Sequence, residues 1–218
     1  MPKTLAALVF PGFELLDLYG PLEMFGMVGR LVDEGFELLI VAETDAPVAA
    51  SKGTRTAVDR TFADGTAYDF VLVPGGFGTR AEIDNAALTG WIGEAAKSAE
   101  CVMSVCTGSS LLARAGVLDN KSATTNKLVF EEMRRTGPAT RWVAQARWVN
   151  DGKVWTSSGV SAGMDMALAV IGAHYGDEVA EQIALYTEYD WHKDAGWDPF
   201  ARIHGLVGTD GDPIGEEE

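Results

Sequence analysis

Cys101-Val102-Met103-Ser104-Val105-Cys106-Thr107-Gly108-Ser109, followed by the helix-forming run Leu111-Leu112-Ala113, carries the chain from a short apolar stretch through a cysteine among small residues into a helix. Five apolar or small residues closed by a turn signal read as a buried strand, and the small residues after Cys106 allow a sharp reversal. Strand, tight turn and helix in immediate succession make the repeating unit of an α/β protein. Working outward, residues 4–10 closed by Pro11-Gly12, residues 36–42, and residues 70–73 closed by Pro74-Gly75-Gly76 repeat the same signature. Helical stretches are expected at about 15–31, 85–99 and 127–135, so the strands are expected to run parallel. Residues 142–149 and 153–156 flank Asn150-Asp151-Gly152, whose Asp-Gly pair suits a hairpin turn, and a late antiparallel element is expected there. Helices over 161–174 and 177–189 follow. Residues 1–190 are read as one domain, with 191–218, rich in Gly, Asp, Pro and Trp, as a tail that packs on it or frays.

The 218 residues suffice for one substantial core, and 47% apolar content is ordinary for a globular chain. Seventeen basic against thirty-two acidic side chains leave a formal charge of −15, which repels nucleic acid and anionic membrane. No run reaches the ~20 apolar residues of a membrane span, and the N-terminus lacks a secretion signal, so the expected location is the cytoplasm. Cys101 and Cys106 are the only cysteines, and their spacing fits neither a zinc site nor a redox pair. With His174, His192 and His204 all late in the chain, no metal site is expected.

Cys106 is the leading candidate for chemistry. A turn of this kind holds a side chain above the carboxyl edge of the sheet, and the amides and positive end of the following helix are expected to pull its thiol below the usual ~8.5. The plain alternative is a buried structural cysteine, which is the reading for Cys101. A rival turn, Gly159-Val160-Ser161-Ala162-Gly163, fits the Gly-x-Ser-x-Gly hydrolase pattern, with Asp190 and His192 or His204 later in the chain. Asp17 follows the first strand among apolar neighbours at the edge where open sheets bind ligands. Beside a thiolate its carboxyl would hold a proton to give and later take back; otherwise it orients a helix turn, and Glu14 and Glu23 are exposed helical charges. The glycines of Pro74-Gly75-Gly76-Phe77-Gly78 let a backbone amide approach a reacting atom; the plain alternative is a tight turn.

Taken together, Phe10-Pro11-Gly12, Leu16-Asp17-Leu18-Tyr19-Gly20-Pro21, Pro74-Gly75-Gly76, Val105-Cys106-Thr107-Gly108-Ser109 and Ala123-Thr124-Thr125 resemble the ThiJ/PfpI superfamily of glutamine-amidotransferase-like proteins. Ser158-Gly159-Val160-Ser161-Ala162-Gly163-Met164-Asp165 and Glu188-Tyr189-Asp190 with Asp194-Ala195-Gly196 look like its isonitrile hydratase branch. The resemblance implies a flavodoxin-like or Rossmann-like three-layer αβα sandwich and a homodimer. It also implies Cys106 as nucleophile, Asp17 as its carboxylate partner, and the amides of Gly76, Phe77 and Thr107 around the reacting centre, with no cofactor and no metal. One departure stands out: relatives commonly read Ala-Thr-Thr-His, whereas Asn126 follows Thr125 here. An amide cannot take up a proton at neutral pH, which argues against peptide hydrolysis by a Cys-His pair.

The leading expectation is hydration of a small isocyanide to an N-substituted formamide through a Cys106 thioimidate, with Trp191 and Trp197 closing an apolar pocket. Glyoxalase or deglycase action on dicarbonyls uses the same thiol on another electrophilic carbon. A non-enzymatic alternative is redox or ligand sensing, as in related domains of transcription regulators. Leu15, Leu18, Leu22 and Phe25, at near-helical spacing, face either the sheet or a partner copy.

Overall fold

The computed structural model describes residues 3–32 and 36–208. β1 (Lys3–Leu8) leads into α1 (Leu15–Leu31) and β2 (Phe36–Ala42), followed by a small ribbon of β3 (Val48–Ala49) and β4 (Arg55–Thr56) and by β5 (Arg60–Thr61). β6 (Phe70–Val73), α2 (Thr79–Glu82), α3 (Ala86–Ser98), β7 (Cys101–Val105) and α4 (Gly108–Arg114) form the middle of the chain. β8 (Ser122–Ala123), α5 (Phe130–Arg134), β9 (Arg141–Trp142), β10 (Trp148–Asp151), β11 (Val154–Ser157), α6 (Ala162–Tyr175), α7 (Asp177–Tyr186) and α8 (Pro199–Ile203) complete it.

The main sheet has the order β10-β11-β7-β6-β1-β2-β5, parallel throughout except for the β10–β11 hairpin. One row of the register runs Leu39, Ala6, Val71, Val102, Val154 across five strands. β6 and β7 are buried at every position, which is why both read as unbroken apolar runs rather than alternating ones. The expected α/β architecture, a mostly parallel sheet flanked by helices with a late hairpin, is the observed one. α1 packs with α6 and α7, and α3 with α4. Leu18, Leu22 and Phe25 of α1 turn into the core, where Phe25 stacks on Phe36 at 5.5 Å between ring centroids. Each such burial is worth roughly 1.5–3 kcal/mol, so the stripe is spent inside the chain.

Three elements differ from expectation. The helix expected over 127–135 shrinks to Phe130–Arg134, because Asn126 caps the Leu128 amide at 2.9 Å and Lys127 turns inward to pair with buried Asp198. The strand expected over 142–149 is divided. Arg141–Trp142 pairs with β8, and β10 starts only at Trp148, because Arg147 turns its side chain into the interior to meet Asp165. The helix expected over 177–189 ends at Tyr186, and Glu188 follows at φ 51°. Past residue 190 the Ala195 carbonyl accepts from the Arg147 amide at 2.7 Å, and Asp198 caps the Phe200 amide at 2.9 Å. Ala201 and Val207 are buried, and residues 209–218 of the expected tail lie outside the described residues.

Candidate active site

The carboxyl ends of β1, β6, β7 and β11 converge on Cys106, the first residue after β7. Cys106 has φ 57°, the left-handed region that costs an L residue about 1–2 kcal/mol. The surroundings fix that geometry. Its amide donates to the carbonyls of Ser157 (3.2 Å) and Ser158 (3.0 Å), and its carbonyl accepts from Thr125 Oγ1 (3.0 Å) and Ser109 Oγ (3.1 Å). Anchored from both sides, the turn aims Sγ into a cavity of about 150 Å³ bounded by Glu14, Gly76, Phe77, Thr107, Asn126 and Val160.

Asn126 Nδ2 donates to the sulfur at 3.2 Å, and the backbone amides of Thr107 and Val160 lie near enough to favour its charged form. Asp17 stands behind it in the first turn of α1 and is fully buried. Its Oδ2 accepts from the Gly75 amide at 2.9 Å, and its Oδ1 has no partner among the described residues. Gly75 must be glycine, since a Cβ there would lie 2.6 Å from the Thr107 nitrogen and 2.8 Å from Asp17 Oδ2. Gly76, at φ +130°, already gives its amide to Thr107 Oγ1 at 3.0 Å. It therefore shapes the wall rather than offering a free donor. Phe77, whose amide has no partner among the described residues, sets its largely exposed ring at the mouth.

Burial pushes the Asp17 carboxyl up to about 7; the Gly75 amide opposes this and the Glu14 carboxylate adds to it. Burial also pushes the Cys106 thiol up to about 12, reinforced by the charge of Asp17, against the pull of Thr107, Asn126 and Val160. The expected lowering of this thiol is thus reversed, because desolvation outweighs a seven-residue helix and three hydrogen bonds. Asp17 and Cys106 act on each other's charge, so they titrate as a pair. At neutral pH the pair keeps a proton. On these values the resting proton lies on the Cys106 sulfur, and its transfer to Asp17 leaves a thiolate nucleophile beside a neutral acid.

The DJ-1/PfpI family model matches residues 3–173. The chain belongs to the DJ-1/PfpI family. It is 32% identical to the isonitrile hydratase of Pseudomonas putida over 189 residues, covering 87% of this chain and 79% of that one. It is 27% identical over 149 residues to the deglycase TK1284 of Thermococcus kodakarensis, covering 67% of this chain and 84% of that one. It is 28% identical over 192 residues to the HTH-type transcriptional regulator GbdR of Pseudomonas aeruginosa, covering 87% of this chain but only about half (51%) of that one. Among solved structures, a ThiJ/PfpI family protein from Pseudomonas syringae superposes with a TM-score of 0.80 at 29% identity, covering 98% of this chain and 82% of that one.

Within this DJ-1/PfpI site the two rival turns separate cleanly. Ser161 sits at φ −68°, an ordinary helical value, and the strained residue of its turn is Val160 at φ 33°. Ser161 Oγ accepts from Arg147 at 3.4 Å, and no histidine bonds to it among the described residues. His192 stacks on Trp197 at 4.2 Å instead. His204, the other candidate, lines the neighbouring cavity together with Ser161 but makes no hydrogen bond to it among the described residues, so the Ser–His bond of a triad is not formed. Trp191 and Trp197 do not line the Cys106 cavity. Trp191 donates to the Asp165 carbonyl, and Trp197 lies under the Arg147 guanidinium, both packed around the buried Arg147–Asp165 pair. Cys101 is buried within β7, and burial raises its thiol. Glu14, expected as an exposed charge, is half-buried on the cavity wall and accepts from Ser51 and Lys52. Val160 has a place in the site that side-chain reading passes over, because it contributes a backbone amide.

Proposed function

We propose that this DJ-1/PfpI protein hydrates small isocyanides to N-substituted formamides, with Cys106 as nucleophile and Asp17 as proton carrier. The observation that carries the reading is the pairing of a buried thiol with a carboxyl raised to about 7, beside a cavity in which the side chain that donates to the sulfur is an amide, Asn126. Such a pair suits a neutral electrophile that needs a nucleophile and a proton at the same carbon.

The Cys106 sulfur adds to the terminal carbon of R–NC, and the proton held by the pair passes to that carbon, giving the thioimidate R–N=CH–S–Cys106. Asp17, now a carboxylate, takes a proton from water as the water oxygen bonds to the same carbon and passes it to the nitrogen. This gives R–NH–CH(OH)–S–Cys106, whose hydroxyl proton is the one that returns to the pair in the last step. The C–S bond then breaks, R–NH–CHO leaves, and the proton returns to the pair, so the sum is one isocyanide and one water to one formamide. The amides of Thr107 and Val160 and the Asn126 side chain stabilise charge on sulfur as it arrives and leaves. Phe77 and Gly76 shape the entrance.

The 32% identity to an isonitrile hydratase supports this reading. Dicarbonyl detoxification by the same thiol is separated from it by offering methylglyoxal and measuring lactate. A redox-sensing role of the same thiol is separated from it by treating the protein with peroxide and following the mass of Cys106. A cytoplasmic homodimer is the form proposed, and sedimentation tests the dimer. Incubating the protein with an isocyanide and following formamide by chromatography tests the activity. Formamide production abolished by Cys106→Ala is expected, and production that survives it overturns the assignment.

A further inference from the structure

Hydration brings a water molecule to the carbon bonded to Sγ, yet Asp17 is fully buried behind the sulfur and forms no part of the cavity wall. It can take a proton there, but it leaves the water's other hydrogen and its direction of approach unset. Among the described residues, the one carboxylate on that wall belongs to Glu14. A water takes roughly 30 Å³, so a cavity of about 150 Å³ has room for the reacting end of a small isocyanide and one water.

Glu14 is fixed from both sides. Its amide donates to the Gly75 carbonyl at 2.8 Å, while the Gly75 amide donates to Asp17 Oδ2 at 2.9 Å, so one glycine holds both carboxylate-bearing residues. Gly76 permits this close approach, since a Cβ there would lie 2.6 Å from the Glu14 nitrogen. The turn between β3 and β4 closes the other side. Ser51 gives its amide to the Phe13 carbonyl at 2.8 Å and its hydroxyl to Glu14 Oε2 at 2.9 Å, and Lys52 Nζ reaches the same oxygen at 3.2 Å. Both side-chain bonds fall on Oε2, and Oε1 has no hydrogen bond among the described residues. The other polar side chains on the wall are engaged. Arg80 pairs with Glu132 at 2.7 Å, Asn126 uses Nδ2 on the sulfur and Oδ1 on the Leu128 amide, and Thr107 Oγ1 is taken up by Gly76 and Thr79.

We infer that Glu14 is a further catalytic residue, whose Oε1 accepts a hydrogen bond from the attacking water and directs the water oxygen at the thioimidate carbon. One hydrogen of the water stays on that bond, the other passes to Asp17 and on to the nitrogen, and the oxygen bonds to carbon. Glu14 thus gains and loses no proton, and R–NH–CH(OH)–S–Cys106 forms with its hydroxyl donating to Oε1. Addition of the sulfur to the isocyanide uses no water and does not need Glu14. The inference rests on the isocyanide reading above.

The test mixes n-butyl isocyanide with the wild type, Glu14→Ala and Glu14→Gln and quenches in acid at short times. Intact-protein mass reads the Cys106 adduct, and chromatography reads N-butylformamide. In Glu14→Ala the adduct should form within about twofold of the wild-type rate and break down about 100-fold more slowly, so that most of the protein stands as adduct in the steady state. Glu14→Gln keeps an acceptor oxygen and should break the adduct down within about tenfold of the wild-type rate. Breakdown at the wild-type rate in Glu14→Ala overturns the inference and leaves the activity in place. So does equal slowing of both halves of the reaction, the mark of a residue that only shapes the site, or a Glu14→Gln as slow as Glu14→Ala. A wild type that gives neither adduct nor formamide removes the isocyanide reading and the inference together.

Discussion

Asp17→Asn removes a buried carboxyl while nearly preserving its shape, and the difference in stability between variant and wild type should grow with pH. In the fold, burial moves this carboxyl from 3.8 to about 7. That is about 3 units, or about 4 kcal/mol at ~1.4 kcal/mol per unit. The sign follows from linkage. The folded state holds the proton more tightly than the unfolded chain, so the protonated carboxyl's contribution is fully present below pH ~4 and is lost as pH rises through ~7. The variant does not titrate here, so it should gain on the wild type by up to about 4 kcal/mol between pH ~4 and pH ~8. The new amide can still accept from Gly75, and its NH₂ can occupy the side of Oδ1, which has no partner now. Urea unfolding of both proteins across that range measures the difference directly, with slopes compared to ensure the same surface is exposed. Isocyanide hydration should drop at least ~100-fold in the same variant, because the proton donor is gone. A stability difference that stays flat with pH would refute the raised Asp17 carboxyl itself.

Gly75→Ala should cut turnover about 100-fold, because its Cβ would press on Thr107 and Asp17 at 2.6 and 2.8 Å and displace the acid from the sulfur; steady-state kinetics reads it. Asn126→His places an imidazole where an amide now lies 3.2 Å from Sγ, and its cationic form should favour the thiolate. Iodoacetamide should then modify Cys106 faster at neutral pH, and an unchanged rate would show that this position does not control the thiol. Lys127→Met strands the buried Asp198 charge and should cost about 3–5 kcal/mol in chemical denaturation, most of it recovered by adding Asp198→Asn.

The parallel strands were legible because both faces of β6 and β7 are buried, so apolar residues run without a break and turn residues mark the ends. β3, β4, β5, β8 and β9 were not, since two residues carry no periodicity. The errors over 127–135 and 142–149 share one physical cause. Lys127 and Arg147, charged residues inside the expected helix and strand, each turn inward to a buried carboxylate contributed by another part of the chain. Cys106 stood out through its small neighbours, whereas Asp17 rose above the role of a helix-orienting residue only through the family resemblance. The donors at the sulfur were harder to see. Thr107 and Val160 act through their amides, which no side chain announces, and the raised thiol reflects a degree of enclosure that depends on five connections meeting.

The central claim is covalent catalysis by Cys106 with Asp17 as its proton partner. It is tested most directly by intact-protein mass spectrometry of the wild type quenched in acid during turnover of an isocyanide. A mass increase equal to one whole isocyanide, located on Cys106 and absent from Cys106→Ala, is the predicted result. Formamide accumulating with no such adduct, or at an undiminished rate in Cys106→Ala, would contradict it.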